Sequence, residues 1–374
     1  MNILMIPILF LFSFGEVEAQ EFRYLGRSPK GLLMGDAYTA VVKDEFSLFY
    51  NPASLGRNYG AVINPVNFTF AVTNALDDLD RFKDFPSDAV DIAERVMDFP
   101  LYLQLSGAPG FKMGGFGFTL FANSTTSISL QNSVNPILNV DYRYDSGFIM
   151  GYAVNLTSRG PGLIGMAPRQ GHRLTIGASV KHIKREGIDE SFNFFGTRIL
   201  NALEDADDFS SIRRNLGYSK GKAWGVDFGL EYGHKRGPSE LTLGLSLLDI
   251  LDTRFKKTDG EVNLPDQKMN LSFGSAWKQD FGLFDYVLSF DLHPLLESYD
   301  YRQKMHFGAK VGLPMFDVFA GWSGGYLSYG GSLKLWPLNL TAGIYANEIG
   351  VDYGDSKGNR FILYLSLLET NFSF

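Results

Sequence analysis

The stretch FDYVLSFDL, residues 284–292, alternates between two kinds of side chain. One face carries Phe, Tyr, Leu, Phe and Leu, and the other carries Asp, Val, Ser and Asp. A period of two places successive side chains on opposite faces of a β-strand. The same pattern recurs in segments 224–232, 241–247 and 305–313. The sequence therefore predicts an all-β protein whose strands are apolar on one face and rich in Gly, Ser and Asp on the other.

The N-terminus carries an apolar run from Ile3 to Phe14, too short for a membrane-spanning helix of about 20 residues. Val17-Glu18-Ala19 follows it, with side chains that suit a signal peptidase. Residues 1–19 are therefore predicted to be a cleaved signal peptide, the alternative being a buried first strand or helix. No later stretch has the length of an apolar transmembrane helix, so a membrane location requires a closed β-barrel.

Composition excludes several classes of function. The 374 residues include no Cys, which rules out disulfides and Cys-based zinc sites. The net charge of −7 gives nucleic acid no basic surface. The histidines show no metal-ligand spacing and are interpreted as residues of the barrel lumen or rim. These are His172, His182, His234, His293 and His306.

One short motif suggests chemistry but is better explained as a turn. Gly321-Trp322-Ser323-Gly324-Gly325 matches the Gly-x-Ser-x-Gly nucleophile elbow. That elbow needs a strand-to-helix turn and a later His, whereas the last histidine is His306 and a strand-like segment follows. We predict a hairpin turn here, and for the whole chain no enzyme activity, no catalytic residue, no metal site and no cofactor.

Fourteen strand-like segments can be placed, and single-chain bacterial barrels have an even number. They lie near 66–74, 99–107, 111–122, 138–156, 172–186, 221–234, 240–249, 267–279, 284–293, 301–313, 315–323, 325–336, 338–347 and 359–374. The longest connections follow odd-numbered strands, at 75–98, 123–137, 187–220, 250–266 and 348–358. Most of the others are tight, such as Ala108-Pro109-Gly110 and Arg236-Gly237-Pro238. This asymmetry is typical of barrels in the bacterial outer membrane.

The long connections and the C-terminus add details. Segment 74–98 is acidic and carries apolar residues at helical spacing, which favours a helix over the barrel mouth, or alternatively a cation or partner site. Segment 187–220 suggests a second helical cover. The terminal Phe374 resembles the signal read by the bacterial barrel-assembly machinery. Because the apolar face of 361–367 is out of phase with Phe372 and Phe374, we predict a bulge between them or, alternatively, a different register.

Residues 20–58 precede the first strand and contain GLLMGDAYTAVVKDEFSLFYNPASL, residues 31–55. This segment resembles the hatch signature of the FadL-type outer-membrane transporters of long-chain fatty acids and their PorV-like relatives. The matching positions are Gly35, Ala37, Tyr38, Thr39, Ala40, Asp44, Phe49, Tyr50, Asn51, Pro52, Ala53 and Leu55. Asp36 and Ser54 depart from the family pattern.

The resemblance implies a hatch, residues 20–58, inside the lumen of a transmembrane antiparallel β-barrel, residues 59–374. The residues expected to form the hatch surface that a ligand meets are Phe46, Phe49, Tyr50, Asn51, Pro52, Ala53 and Leu55. The expected partners are outer-membrane lipid, a hydrophobic small molecule and the barrel-assembly machinery. Two functions stay open: passive uptake or exchange of fatty-acid-like molecules through a hatch-gated lumen, and docking of exported proteins by a PorV-like barrel of a secretion system. The aromatic segment could also be packing alone.

Overall fold

The computed structural model describes residues 21–57, 60–74, 99–131, 136–157, 170–193, 216–350 and 352–373. The predicted signal peptide lies outside these ranges. The predicted helices of segment 74–98 and of the later part of segment 187–220 lie outside them as well.

Antiparallel strands form a ring that closes on itself, because β17 pairs with β2 from Leu367 opposite Val66 to Arg360 opposite Thr73. The strands are β1 (Gly60–Asn64), β2 (Val66–Thr73), β3 (Leu101–Gly107), β4 (Gly110–Met113), β5 (Phe116–Gln131), β6 (Ile137–Asn155), β7 (Gly171–Asn193), β8 (Ser219–Arg236), β9 (Ser239–Leu248), β10 (Lys256–Asp259), β11 (Asn270–Asp280), β12 (Asp285–Leu292), β13 (Met305–Gly312), β14 (Phe316–Ser323), β15 (Tyr326–Leu335), β16 (Leu338–Glu348), β17 (Lys357–Leu367) and β18 (Thr370–Ser373).

These segments make fourteen barrel strands, as the sequence predicts. Three barrel strands are interrupted, and each is made of two segments that pair with the same neighbouring strands. They are β1 with β2, β3 with β4, and β17 with β18. The short β10 is additional and pairs with the N-terminal end of β8. The all-β fold and the strand number are confirmed.

The predicted turn Ala108-Pro109-Gly110 is wrong. It interrupts a barrel strand, because β3 and β4 pair with the same strand, β5. Pro109 has no N–H to donate to a ladder, and the Asn67 side chain bridges the gap by accepting from the Ala108 N–H at 2.6 Å and donating to its carbonyl at 3.0 Å. The turn is Gly114-Gly115, where Gly114 has a φ of +56°.

The predicted loop 123–137 is also wrong in extent, because β5 continues to Gln131. β5 to β8 have 16 to 23 residues, whereas β12, β13 and β14 have eight each. A strand that rises beyond the lipid can be polar on both faces, so its sequence loses the alternation. The polar run 123–129 reads as a loop for that reason.

The connections are unequal at the two ends of the barrel. One end, which we call the short-turn end, carries tight turns such as Gly237-Pro238, and the opposite long-connection end carries segments such as 249–269. The long-connection end also carries a tight turn, Gly324-Gly325, with φ values of +54° and +101°. That hairpin joins β14 to β15, as the sequence predicts.

The outer face of the barrel is apolar, with exposed side chains such as Phe68, Leu103, Val226, Val318 and Leu363. The inner face of the same strands carries glycine and polar residues. The alternation of the last strand is interrupted at Leu368, whose φ is +59°. Leu363 and Phe372 therefore both face outward despite an odd spacing of nine. The predicted bulge is wrong, because β17 and β18 keep one pairing offset to β2 and β1 and no extra residue stands on either side.

The N-terminal segment 21–57, here called the hatch, lies in the lumen, as predicted. It contains α1 (Pro29–Leu33), α2 (Ser47–Tyr50) and a 3-10 helix (Pro52–Arg57). Its start lies toward the long-connection end and its last residues toward the short-turn end. Among the described helices, none is long and apolar enough to cross a membrane.

Candidate functional site

Glycines on the inner face of the wall let the hatch pack closely. A Cβ atom on Gly177 would lie 2.6 Å from the Ala53 nitrogen, and one on Gly321 would lie 2.0 Å from the Gly35 nitrogen. Seven more glycines around the lumen would each place a Cβ atom within 3.0 Å of a hatch atom. They are Gly117, Gly151, Gly229, Gly274, Gly308, Gly330 and Gly343. The wall is therefore shaped to the hatch backbone.

The Asn51-Pro52-Ala53 turn fits between two of these glycines. The Asn51 carboxamide oxygen accepts a hydrogen bond from the Ala53 N–H at 3.0 Å, which closes the turn locally. Gly177 and Gly229 leave room for the turn, because a Cβ on Gly229 would lie 2.1 Å from that same oxygen. Leu55, further along, fills the space left by Gly117. These motif residues thus lock the hatch to the wall.

Phe46 and Phe49 form a buried aromatic pair whose ring centroids are 5.7 Å apart. Phe49 meets Phe121 of β5 edge-on at 5.8 Å. It also covers Gly26, where a Cβ would come within 2.9 Å of its ring. Phe49 is therefore the aromatic side chain of the motif that reaches both the start of the hatch and the wall.

Tyr50 points the other way, into a polar cluster inside the hatch. Its hydroxyl donates to the Asp36 carboxylate at 2.6 Å, and the Arg27 guanidinium lies 4.4 Å from the centre of its ring. Arg27 also pairs with Asp36 at 3.1 Å. Burial, together with the nearby Asp36 charge, raises the pKa of Tyr50 well above its usual value. Tyr50 is thus a hydrogen-bonded structural residue in this structure.

Asp36 is where the hatch departs from the family pattern. Its φ of +62° is a conformation that glycine adopts freely, which suits a position where the family commonly has glycine. Its carboxylate gains Arg27 and Tyr50 as partners. His293 lies 3.7 Å from it and stacks on His306 with ring centroids 3.9 Å apart. The departure therefore adds an ionic centre to the hatch.

The ends of the hatch are fastened to the wall by ion pairs. At the start, Arg360 of β17 donates to Glu21 at 2.9 Å, and Arg23 pairs with Asp189 of β7 at 2.9 Å. At the end, Arg57 pairs with Glu231 of β8 at 3.0 Å. These charges are partly shielded from water. Removing one partner of such a pair therefore leaves an unpaired charge, which is costly.

The middle of the hatch is held by hydrogen bonds. Asp291 of β12 accepts from the Thr39 N–H at 2.7 Å, and Lys112 of β4 donates to the Asp44 carbonyl at 2.9 Å. The Tyr364 hydroxyl of β17 donates to the Glu45 carboxylate. Burial and the neighbouring Asp44 raise the pKa of Glu45 to about 7. Glu45 is therefore a hatch group that titrates near neutral pH.

A small cavity lies between hatch and wall, with room for about one water molecule. Its lining is mostly apolar on the hatch side. The lining residues are Phe22, Tyr24, Leu25, Leu48, Phe49, Ile149, Lys181, Leu248, Asp249, Gln267 and Asn270. Of the motif residues expected to meet a ligand, Phe49 lines this cavity.

The five histidines lie in three places. His293 and His306 lie in the lumen, and His172 and His234 lie at the short-turn rim, as predicted. His182 faces outward and packs between the rings of Phe148 and Trp224. The prediction that it lies in the lumen or at the rim is therefore wrong. The described residues contain no group of three or more His, Cys, Asp or Glu placed to bind a metal ion.

Sequence reasoning missed the wall residues that receive the hatch. The glycines of the inner face were visible as part of a small, polar lumen surface, but their contact with the hatch depends on pairings distant in the chain. The same applies to Arg360, which lies 339 residues from Glu21. The signal available in the sequence was a glycine at the corresponding inner-face position of successive strands.

A closed barrel with an apolar exterior, and with its own N-terminal segment in the lumen, is a hatch-containing β-barrel of the bacterial outer membrane. No protein-family model and no curated protein matches the chain.

Several solved barrels are similar in structure at low sequence identity. The CymD monoaromatic hydrocarbon channel is 11% identical, with 95% of this chain and 100% of that chain covered and a TM-score of 0.45. The toluene transporter TodX of Pseudomonas putida is 13% identical, with 94% and 100% covered and a TM-score of 0.44. The toluene transporter TbuX of Ralstonia pickettii is 10% identical, with 94% and 100% covered and a TM-score of 0.46.

Proposed function

We propose that the protein mediates passive uptake or exchange of hydrophobic, fatty-acid-like small molecules across the outer membrane. The observation that carries the proposal is the apolar surface that the hatch presents to the cavity, where Phe22, Leu25, Leu48 and Phe49 meet Ile149 and Leu248 of the wall. Burying one aromatic ring against a ligand contributes about 2–3 kcal/mol. An apolar surface inside a polar lumen therefore favours a hydrophobic ligand over water.

The polar side of the cavity fits an amphipathic molecule. Lys181, Gln267 and Asn270 line it, and such groups orient the polar end of a ligand in a mostly apolar site. Lys181 is shared between Asp227 at 2.7 Å and Asp249 at 2.9 Å, so a ligand head group would compete with these carboxylates.

Gating would use the hatch side chains that line the cavity. The cavity is too small for a fatty-acid-like molecule, so the side chains around Leu25 and Phe49 must move for one to enter. The ion pairs at Glu21, Arg23 and Arg57 hold the two ends of the hatch. We therefore propose local opening beside the cavity, with no release of the whole hatch.

Binding of the hydrophobic fluorescent probe 1-N-phenylnaphthylamine to the purified barrel tests the proposal. Phe49→Ala should weaken binding roughly tenfold, because it removes part of the buried apolar contact. Phe316→Ala, which removes a lipid-facing ring at the outer surface, is the matched control and should bind as the wild type does. Equal affinities for all three proteins would contradict a ligand site at Phe49.

The second candidate is a PorV-like barrel that docks exported proteins in a secretion system. The fastening of the hatch at both ends favours it, since docking requires no passage through the lumen. Native mass spectrometry of the purified protein separates the two functions. A bound lipid-like molecule supports uptake, and a co-purifying exported protein without bound lipid supports docking.

A further inference from the structure

A row of three lysines crosses the outward face of the barrel near its long-connection end. Lys184 of β7 is directly opposite Lys222 of β8, and Lys222 is directly opposite Lys256 of β10. Residues directly opposite each other in a sheet share a face, with Cβ atoms about 4.5–5.5 Å apart. All three side chains are exposed, so the row is a compact cationic surface.

The described residues place no acid directly opposite any lysine of this row. In the parts of the chain that the structure describes, none of the three lysines forms an ion pair. The outward acids beyond the row, Glu186 and Asp259, lie beside another cation, Lys220, which pairs with Glu186 at 3.4 Å. Like charges directly opposite each other destabilise a sheet. The row is therefore suited to an anionic partner from outside the chain.

An aromatic cluster lies directly below the row, toward the middle of the barrel. Trp224 follows Lys222 by two residues on the same face and is 64% exposed. Its ring lies 4.8 Å from His182 and 5.9 Å from Phe148, measured between centroids. Tryptophan side chains concentrate where the hydrocarbon of a membrane meets its head groups. The cluster therefore places the lysines at the level of the head groups.

The spacing along β7 supports this depth. His172 faces outward near the short-turn end, stacked on His234 of β8, and is twelve residues from Lys184. Twelve residues at about 3.3 Å each, tilted by about 40°, rise about 30 Å, which is the thickness of a hydrocarbon core. The outward residues between them on this strand are Leu174, Ile176, Ala178, Val180 and His182. The lysine row thus stands one hydrocarbon thickness above the His pair, in the outer leaflet.

We propose that the lysine row binds the phosphate groups of a phosphorylated outer-leaflet lipid of the lipid A type. The acyl chains would run along Trp224, Val226 and Phe228, which are exposed in sequence below Lys222. Lysine ammonium groups are strong phosphate ligands when they converge. The site is on the outer surface of the wall, separate from the lumen, so it is independent of the uptake proposal.

Titration of the detergent-solubilised barrel with bisphosphorylated lipid A tests the site. The variant K184Q/K222Q/K256Q should bind roughly 100-fold more weakly at low salt, since each cation near an anionic lipid contributes about a factor of five. K222Q alone removes the centre of the row and should lose roughly fivefold. A heat-modifiable band on gel electrophoresis confirms that each variant is folded.

Two control variants and two control ligands complete the design. K184R/K222R/K256R keeps the charge and should bind as the wild type does, and so should K357Q, which removes an outward lysine near the same end of β17. Lipid A without phosphates should bind poorly to every variant. Wild-type affinity in the glutamine variants, equal binding of dephosphorylated lipid A, or binding of inorganic phosphate as tight as that of lipid A would each overturn the proposal.

Discussion

Gly177 shows how a single position fixes the hatch. We predict that Gly177→Val displaces the Asn51-Pro52-Ala53 turn, because even a Cβ there would approach the Ala53 nitrogen and the Pro52 carbonyl to 2.6–2.7 Å. Ala178→Val, one residue away on the lipid-facing side, is the matched control. Hydrogen exchange at residues 51–55 should speed up by at least about tenfold in the first variant and stay unchanged in the second. Slow exchange in both would show that the glycine contact does not hold the turn.

Glu45 makes a pH-dependent contribution to stability. Its pKa is about 7 in the folded protein and 4.5 in the unfolded chain, so between these values the folded state binds more protons. The free energy of unfolding therefore falls as pH rises from 4.5 to 7, by at most about 3 kcal/mol from this group. Glu45→Gln should remove that fall while keeping an acceptor for Tyr364.

Thermal unfolding of both proteins in detergent between pH 4.5 and 8 measures the difference. The midpoint of the wild type should decrease with rising pH more steeply than that of the glutamine variant. Parallel curves would mean that Glu45 is ionised across this range.

At the residue scale, the sequence predicted which residues form the hatch turn but not what they contact. Asn51 and Pro52 specify a rigid turn by their own chemistry. The role of Asp36 as an ionic centre depends on Arg27 and His293 meeting it in space, and no local spacing encodes that. The ligand contact of Phe46, Phe49 and Tyr50 stays a proposal.

At the element scale, alternation located every barrel strand but misjudged where some of them end. Where a strand contacts lipid, one face must be apolar, and the pattern is strong. Where β5 rises beyond the lipid, Ser and Thr occupy both faces and the signal disappears. Pro109 indicated a turn, although a side-chain amide can replace a missing ladder bond.

The unequal ends of the barrel predict its orientation in the membrane. An epitope inserted between Asp259 and Gly260, in the connection after β9, should be labelled by antibody on intact cells, because long connections of such barrels face outward. The same epitope at Gly237, in the tight turn between β8 and β9, should be labelled only after permeabilisation. Labelling at Gly237 with silence at Asp259 would reverse the orientation.

At the scale of the whole molecule, the even strand number and the membrane class followed from the sequence because lipid imposes them on any β-structure. That the hatch lies in the lumen was expected from the resemblance of its motif, but the closeness of its fit was not. The fit depends on the hatch filling a space whose shape is set by glycines from strands all around the ring. The central claim joins two features of the hatch. It is fastened to the wall, and it presents an apolar surface to a hydrophobic ligand.

The most direct test of this claim is the rate at which a hydrophobic fluorescent dye enters cells through the barrel. Cells with the wild-type barrel should take it up faster than cells without it. The variant F46A/F49A/Y50A, compared at equal amounts of folded, heat-modifiable band, should differ clearly from the wild type. It removes Phe49 from the cavity surface, and it removes Phe46 and Tyr50 from the packing around it, each ring being worth about 2–3 kcal/mol. The rate falls if binding is lost and rises if the lumen opens. An uptake rate equal to the wild type would contradict the claim and would leave docking as the better account.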